Sequence, residues 1–306
     1  MCYLCGVSRA GYYRDLTERR PDEAEMAVKI AIQEIVLAHH RRYGYRRVTE
    51  ELHRRGMVVN HKHVLRIMRT DNLLAVRHRK FVLTTDSRHD YQVYVNLAVR
   101  MTVTGIDQLW VADLTYIRLR VEFVFLAVVI DRFSRKVVGW ALEQTLTARV
   151  AVTALKQAVT LREPPPGLVH HSDQGVQYSS ADYQEVLQTN RMVPSMSRPA
   201  NPYDNAYCES FMKTLKQEEI YCNQYRDMKE LSEHLDEFLD NYYNRQRLHS
   251  ALGYKTPEEF EQAAASAETT SANQAATMTY FKPPKHKASA TSTAQPNIEP
   301  QGGKPV

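Results

Sequence analysis

Between Asp107 and Leu142 three strand-like stretches follow one another with connections too short to hold a helix, and no other feature constrains the fold as much. Asp107–Leu119 is rich in aromatic and β-branched residues, Phe123–Ile130 is a continuous apolar run, and Lys136–Leu142 is a third short candidate. Strands joined so tightly make a meander. The pattern then changes to alternation. A helix is expected over Thr147–Leu161, ended by Pro164-Pro165-Pro166-Gly167; a buried strand over Leu168–His171; a helix over Ala181–Thr189; and a last strand over Met192–Met196. Two long helices, Asn205–Ile220 and Met228–Tyr243, close the series. Strands first and then alternating helix and strand describe an α/β fold, a mixed sheet flanked by helices.

The segment before residue 105 has a different character. From Ala24 to Ala38 apolar residues recur at helical spacing, with Val28, Ile32, Ile35 and Val36 on one side. Tyr45–Arg55 places Val48 and Leu52 four apart and ends at Gly56, a helix-stop signal; Asn60 then caps a helix carrying Val64, Ile67 and Met68. Two short helices with a tight glycine-containing connection read as a helix-turn-helix, whose second helix presents Lys62, Arg66 and Arg69. Charge supports this. The chain of 306 residues is net +5, but residues 1–100 carry 19 Lys/Arg against 11 Asp/Glu, while the other 206 carry 21 against 24. A cationic third suits a module that sits on an anionic polymer, since neutralising phosphates releases counterions. Arg46 and Arg47 join the three cations above as candidate DNA contacts; a merely solvated basic face is the bland alternative.

Several classes are disfavoured. Four cysteines, Cys2, Cys5, Cys208 and Cys222, are too few for a disulfide framework, and the Cys2–Cys5 pair lacks the second ligand pair of a zinc site. The longest apolar run is far below membrane-spanning length, and residues 1–20 are arginine-bearing with no apolar targeting core. A protein of the reducing cytoplasm, associated with the nucleoid, is expected. After Phe260 the composition turns to Ala, Ser, Thr, Gln and Pro without periodicity, the signature of a disordered tail.

Three acids stand in unusual settings. Asp113 lies inside the first strand, where strand propensity and burial both disfavour a lone carboxylate. Asp173 ends the short buried strand, from which side chains reach into a cleft, and Gly175 then turns the chain away. Glu209 sits on a helix capped near Asp204 or Asn205; a step of about one turn aligns Asn205, Glu209, Lys213 and Lys216 on one face, with Tyr207, Phe211 and Leu215 on a core-facing stripe. Taken singly, each acid has a structural reading, for Glu209 an ion pair with the lysines that follow. Taken together, they match the needs of phosphodiester transfer, which uses two divalent ions held by a few carboxylates.

The spacing, 59 residues between Asp113 and Asp173 and 35 between Asp173 and Glu209, resembles the DD(35)E signature of integrases and transposases with a ribonuclease-H-like fold. The surrounding words Trp110–Ile117, Asp131–Trp140, His171–Tyr178, Asn205–Phe211 and Tyr243–Pro257 look like the second-reading-frame transposase of the insertion-sequence-3 family. The likeness runs from about Val7 to Phe260 and includes Ser8–Tyr13 and Tyr43–Arg47. It implies a metal-dependent polynucleotidyl transferase acting on the ends of its own element, with Asp113, Asp173 and Glu209 ligating two Mg²⁺ or Mn²⁺ ions. It also implies that Lys216, seven residues after the glutamate, contacts the DNA backbone, which agrees with the stripe that adds Lys213.

The expected organisation is an N-terminal segment at 1–20, a small all-α helix-turn-helix domain at 21–80, a linker at 81–104, an integrase catalytic core with C-terminal helices at 105–262, and a tail at 263–306. Expected partners are double-stranded DNA, both terminal inverted repeats and target, and further copies of the chain in a synaptic complex. A first-frame partner or frameshift fusion is also expected, since the chain has no heptad run of its own. The alternatives are a DNA-binding regulator that inhibits transposition, which leaves the acids unexplained, and a nuclease of the same fold without strand transfer. Imidazole is a poor partner for Mg²⁺, so the pairs His39-His40 and His170-His171 are read as local structure.

Overall fold

The computed structural model describes residue 8 and residues 23–75, 94–120, 122–198 and 205–267. The Cys2–Cys5 pair, the Arg9–Tyr13 motif, Asp204, most of the linker and the tail after 267 lie outside the described residues. Two compact units are formed by residues 1–264 and 265–306.

A five-stranded sheet forms the centre of the first unit, in the order β3-β2-β1-β4-β5. β1 (Leu109–Arg118), β2 (Phe123–Asp131) and β3 (Val137–Glu143) form the antiparallel meander, while β4 (Val169–Ser172) and β5 (Val193–Met196) add in parallel beyond β1. Short links forced the first three into hairpins; parallel pairing of β4 and β5 needs the long crossovers through α4 (Ala148–Arg162) and α5 (Ala181–Thr189). This is the mixed sheet that the element order predicts.

Because side chains alternate across a strand, the sheet has two distinct faces. Trp110, Ala112, Ala127, Val129 and Val138 pack with Ala154, Leu155 and Ala158 of α4 and with α5. Leu109, Val111, Val128 and Ile130 face the opposite way, onto α6 (Ala206–Leu215) and α7 (Met228–Asp236). Asp113 continues the Leu109–Val111 series at two-residue intervals, so it faces the side on which α6 packs. The approach of α4 to β3 is tight at Gly139, where an added Cβ would fall 2.3 Å from the Ala154 carbonyl oxygen and 2.8 Å from the Ala158 Cβ.

In the N-terminal part, α1 (Glu23–Ala38), α2 (Tyr45–Arg54) and α3 (His61–Thr70) lie where the apolar periodicity predicts. Gly56 takes φ +79°, with its N–H and that of Met57 closing onto His53 and Leu52 carbonyls, and Asn60 Oδ1 accepts from Lys62 N. These helices share one apolar cluster with α6 and α7. Tyr43 is fully buried, stacked on His39 at 3.8 Å; its hydroxyl donates to the Gln246 carbonyl and accepts from Leu248 N, both at 3.0 Å. Arg42 reaches Glu219 at 2.6 Å, and Arg54 reaches Glu259 at 2.9 Å.

Both long C-terminal helices change form partway. α6 becomes π-helical over Lys216–Ile220 and α7 over Glu237–Gln246, a wider winding that α-helical periodicity does not reveal. A last helix begins at residue 257. No described helix is long and apolar enough to cross a membrane.

Candidate active site

Asp113 occupies the middle of β1, paired with Val128 on one side of the strand. Its backbone neighbour Leu114 N donates to the carboxylate at 2.9 Å. Only partly exposed, the Asp113 carboxyl is pushed up to about 7, first by loss of water, then by Asp173, with Glu209 adding and Lys216 opposing. The group therefore lies in the combined field of the other two acids and the lysine.

Asp173 follows directly on β4, whose parallel pairing with β1 brings it alongside. Its Oδ1 accepts from Gly175 N at 2.9 Å, and a Cβ on Gly175 would meet that same oxygen at 2.9 Å. Glycine is needed here for close approach to the carboxylate. Tyr178 is buried, its hydroxyl makes no hydrogen bond among the described residues, and Asp173 and Asp113 both act on it.

Glu209 lies exposed on the first turn of α6. Asn205 heads that helix, but its side chain does not cap it; Nδ2 instead donates to the Ala112 carbonyl at 3.2 Å, tying α6 to the strand one residue before Asp113. Sequence reasoning assigned Asn205 to the open stripe, yet it is buried. Tyr207 also departs from expectation. It is 37 % exposed, with the Arg132 and Arg135 guanidiniums 4.8 and 5.4 Å from its ring centre, and the buried stripe is Cys208, Phe211, Met212 and Leu215. A step of four residues overshoots the 3.6-residue turn by roughly 40°, so a 207–211–215 row that faces the core at Phe211 and Leu215 begins off the core at Tyr207.

The same drift separates the lysines. Lys213 is exposed, while Lys216 is half-buried over the Tyr116 ring, 5.6 Å from its centre, and loss of water lowers its pKa although Asp113 raises it. Among the other candidate cations, Arg46, Lys62, Arg66 and Arg69 are exposed, with Lys62, Arg66 and Arg69 on one side of α3. Arg66 lies 3.8 Å from Glu25. Arg47 turns inward to Glu218 at 3.3 Å, beside the buried Arg247 pair to that carboxylate at 2.7 and 2.8 Å. Sequence reasoning did not single out Arg247, for a lone arginine before a His-Ser pair carries no periodic signal.

The histidine pairs are local structure. His170 bonds Tyr183 at 2.8 Å and is pushed down to about 3 by burial and by His171; His171 bonds Ser195 and Ser197. Cys208 and Cys222 are free thiols. Among the described residues, no three His, Cys, Asp or Glu side chains converge closely enough to enclose an ion. The three acids share a field without sharing a point.

Residues 104–202 and 190–257 match integrase core domain families, and residues 22–81 match an HTH-like domain family. The chain is 36 % identical to a 31 kDa protein of insertion element IS600 from Shigella sonnei over 86 % of its own length and 97 % of that protein. It is 35 % identical to the transposase InsF for insertion sequence IS3A of Escherichia coli K12, over 85 % and 92 % respectively. Among solved structures, the magnesium complex of the HTLV-2 integrase catalytic core aligns at 19 % identity and TM-score 0.40, over 51 % of this chain and 97 % of that one.

An integrase core joined to an HTH-like module defines a DNA transposase of the DDE-type polynucleotidyl transferase superfamily. Within that class, with a third of its residues identical along nearly the whole length of those relatives, the chain belongs to the insertion-sequence-3 family of transposases.

Proposed function

We propose that this transposase cuts and joins DNA at the ends of its insertion sequence with two divalent cations, Mg²⁺ or Mn²⁺, held by Asp113, Asp173 and Glu209. One arrangement carries the reading: Asp113 in the middle of β1 stands beside Asp173 at the end of the parallel strand β4, and burial with that neighbour pushes the Asp113 carboxyl up to about 7, short of counter-charge. A hard cation with oxygen ligands is the group that would supply it. Once bound, such ions would activate the attacking hydroxyl and stabilise the leaving oxygen.

The chain's own residues supply the positioning. Asp113 is fixed by the sheet and Asp173 by the strand end and Gly175, while Glu209 approaches from a helix tethered through Asn205. Glu209, exposed on the first turn of α6, would complete the set of oxygen ligands for a cation. Lys216 grips a phosphate of the strand being cut. Lys213, Arg46, Arg47, Lys62, Arg66 and Arg69 add contacts along the duplex, at the terminal inverted repeats and at the target. A synaptic homo-oligomer, a first-frame partner and a site of action at the cytoplasmic nucleoid complete the reading. Residues 21–80 form its DNA-binding part, 105–262 its chemical part and 263–306 its tail.

The test is replacement of each acid by its amide. Asp113→Asn, Asp173→Asn and Glu209→Gln should each abolish Mg²⁺-dependent joining of an element end to target DNA while leaving DNA binding intact. Near-normal turnover by any one of them would remove that residue from the assignment.

A further inference from the structure

One turn along α6 from Glu209, the chain encloses a second polar site. Ser210 and Thr214 of α6, Arg47 of α2, Arg135 from the β2–β3 turn, and Arg247 and His249 from the segment after α7 line a cavity of about 130 Å³. The charge in it is unbalanced. Three guanidiniums line it, and two of them, Arg247 and Arg47, are paired with the carboxylate of Glu218. Arg135 has no carboxylate partner among the described residues and rests only against the Tyr207 ring. It is held at φ +61°, a conformation that Gly or Asn adopts with less strain.

A second, independent feature is the imidazole. His249 is 5 % exposed, packed edge-on against Tyr243 at 4.8 Å, and among the described residues its Nε2 has no hydrogen-bond partner. Arg247 Nη1 donates to the ring's Nδ1 at 3.5 Å, and the Tyr243 backbone also acts on the ring. Burial first, then Arg247, Arg47 and Arg135, push this ring down to about 2, so it is neutral and adds no charge. A buried polar nitrogen left unpaired is destabilising, and a ligand oxygen would relieve that cost.

We propose that this cavity seats a phosphate of the DNA backbone, gripped by Arg135 and Arg247, with His249 and the Ser210 and Thr214 hydroxyls completing its hydrogen bonds. Guanidinium forks match phosphate oxygens in pairs, and the volume admits a phosphate group while excluding a nucleoside. The inference rests on reading the chain as a transposase that uses Glu209. Ser210 and Thr214 stand about 1.5 and 7.5 Å along the helix axis from Glu209. At about 3.4 Å per nucleotide of a strand, the seated phosphate lies within roughly two nucleotides of the reacting bond.

The experiment uses the full chain, duplex DNA and Ca²⁺ in place of Mg²⁺, so that binding is read without turnover. Arg135→Gln should lower the slope of log affinity against log salt by about 0.9, one phosphate contact, and weaken binding about tenfold at low salt. His249→Phe should weaken binding severalfold with the slope unchanged, because it removes a neutral donor. Neutral methylphosphonates introduced one at a time near the cleavage position should reveal one position that weakens wild-type binding but not Arg135→Gln. Arg135→Lys should recover part of the loss, and melting temperatures would show that each variant is folded. A wild-type slope in Arg135→Gln, or a methylphosphonate scan with no position masked by the variant, overturns the proposal. So does stabilisation by inorganic phosphate with a flat scan, which would make the site one for free phosphate. Joining by the wild type in Mg²⁺ is measured alongside: a normal joining reaction with an unchanged Arg135→Gln sinks the seat alone, whereas no joining with a lowered slope sinks the metal-site reading alone.

Discussion

Replacing Asp113 by Asn should make the metal-free protein more stable at alkaline pH, although it destroys the proposed metal site. The carboxyl rises from an ordinary 3.8 to about 7 in the folded chain because burial, Asp173 and Glu209 all oppose its charge. The folded state thus holds this proton more tightly than the unfolded state does. Below pH 3.8 both states are protonated and the group is neutral in its effect. Between 3.8 and 7 the unfolded chain releases the proton first, so this group's contribution to stability falls as pH rises, by at most about 1.36 kcal/mol per pH unit. Above 7 the full penalty is present, about 4 kcal/mol as an upper bound. Partial exposure at the cleft and local relaxation should reduce it to about 2 kcal/mol, or roughly 4–8 °C in melting temperature for a chain of this size. Asparagine keeps the oxygen that accepts from Leu114 N. The assay is thermal unfolding of wild type and Asp113→Asn in EDTA from pH 5 to 8.5. The two curves should separate as pH rises from 5 to 7 and keep their full separation above 7 with the variant higher, and Mg²⁺ should raise the wild type alone. Parallel curves, or a variant less stable than wild type at pH 8, would refute the reasoning.

Lys216→Ala should raise the DNA concentration for half-maximal joining without raising the Mg²⁺ requirement, and Lys216→Arg should recover much of the loss; a shift in Mg²⁺ requirement alone would instead make Lys216 a partner of the acids. Gly139→Ala should destabilise by about 1–3 kcal/mol or more, because the new Cβ meets the Ala154 carbonyl oxygen at 2.3 Å and α4 must move away from β3; an unchanged denaturation midpoint would show that the helix yields freely. Burial works to raise the Glu218 carboxyl, but Arg247 and Arg47 bring it below its ordinary value, and Glu218→Ala leaves Arg247 buried without its counter-charge. A loss of about 3–5 kcal/mol is expected by chemical denaturation, and a loss under about 1 kcal/mol would mean that solvent reaches the guanidinium.

The sequence by itself determined the elements and their order. Apolar runs and apolar residues recurring at strand or helix spacing located β1 to β5, α1, α2, α4 and α5 to within a residue or two and the starts of α6 and α7, because that signal lies within the segment that folds. The three acids were legible for a related reason: Asp113 interrupts a strand of apolar residues and Asp173 ends another, so each is out of pattern where it stands. Whatever depends on distant parts of the chain was not legible. Tyr43 meets Gln246 and Leu248, Arg42 meets Glu219, and Arg47 meets Glu218, at separations of 171 to 205 residues. No periodicity within α2 shows that its helix-turn-helix is built into the same apolar cluster as the helix carrying Glu209. The exposure of Tyr207, the inward turn of Lys216 and the π-helical ends of α6 and α7 are likewise fixed by neighbours and by a few tens of degrees of helical drift. The gathering of Arg47, Arg135, Arg247 and His249 around one cavity belongs to the same class: four residues from three distant segments, each unremarkable in its own stretch of sequence, whose charges act on one another only when the sheet and helices have packed.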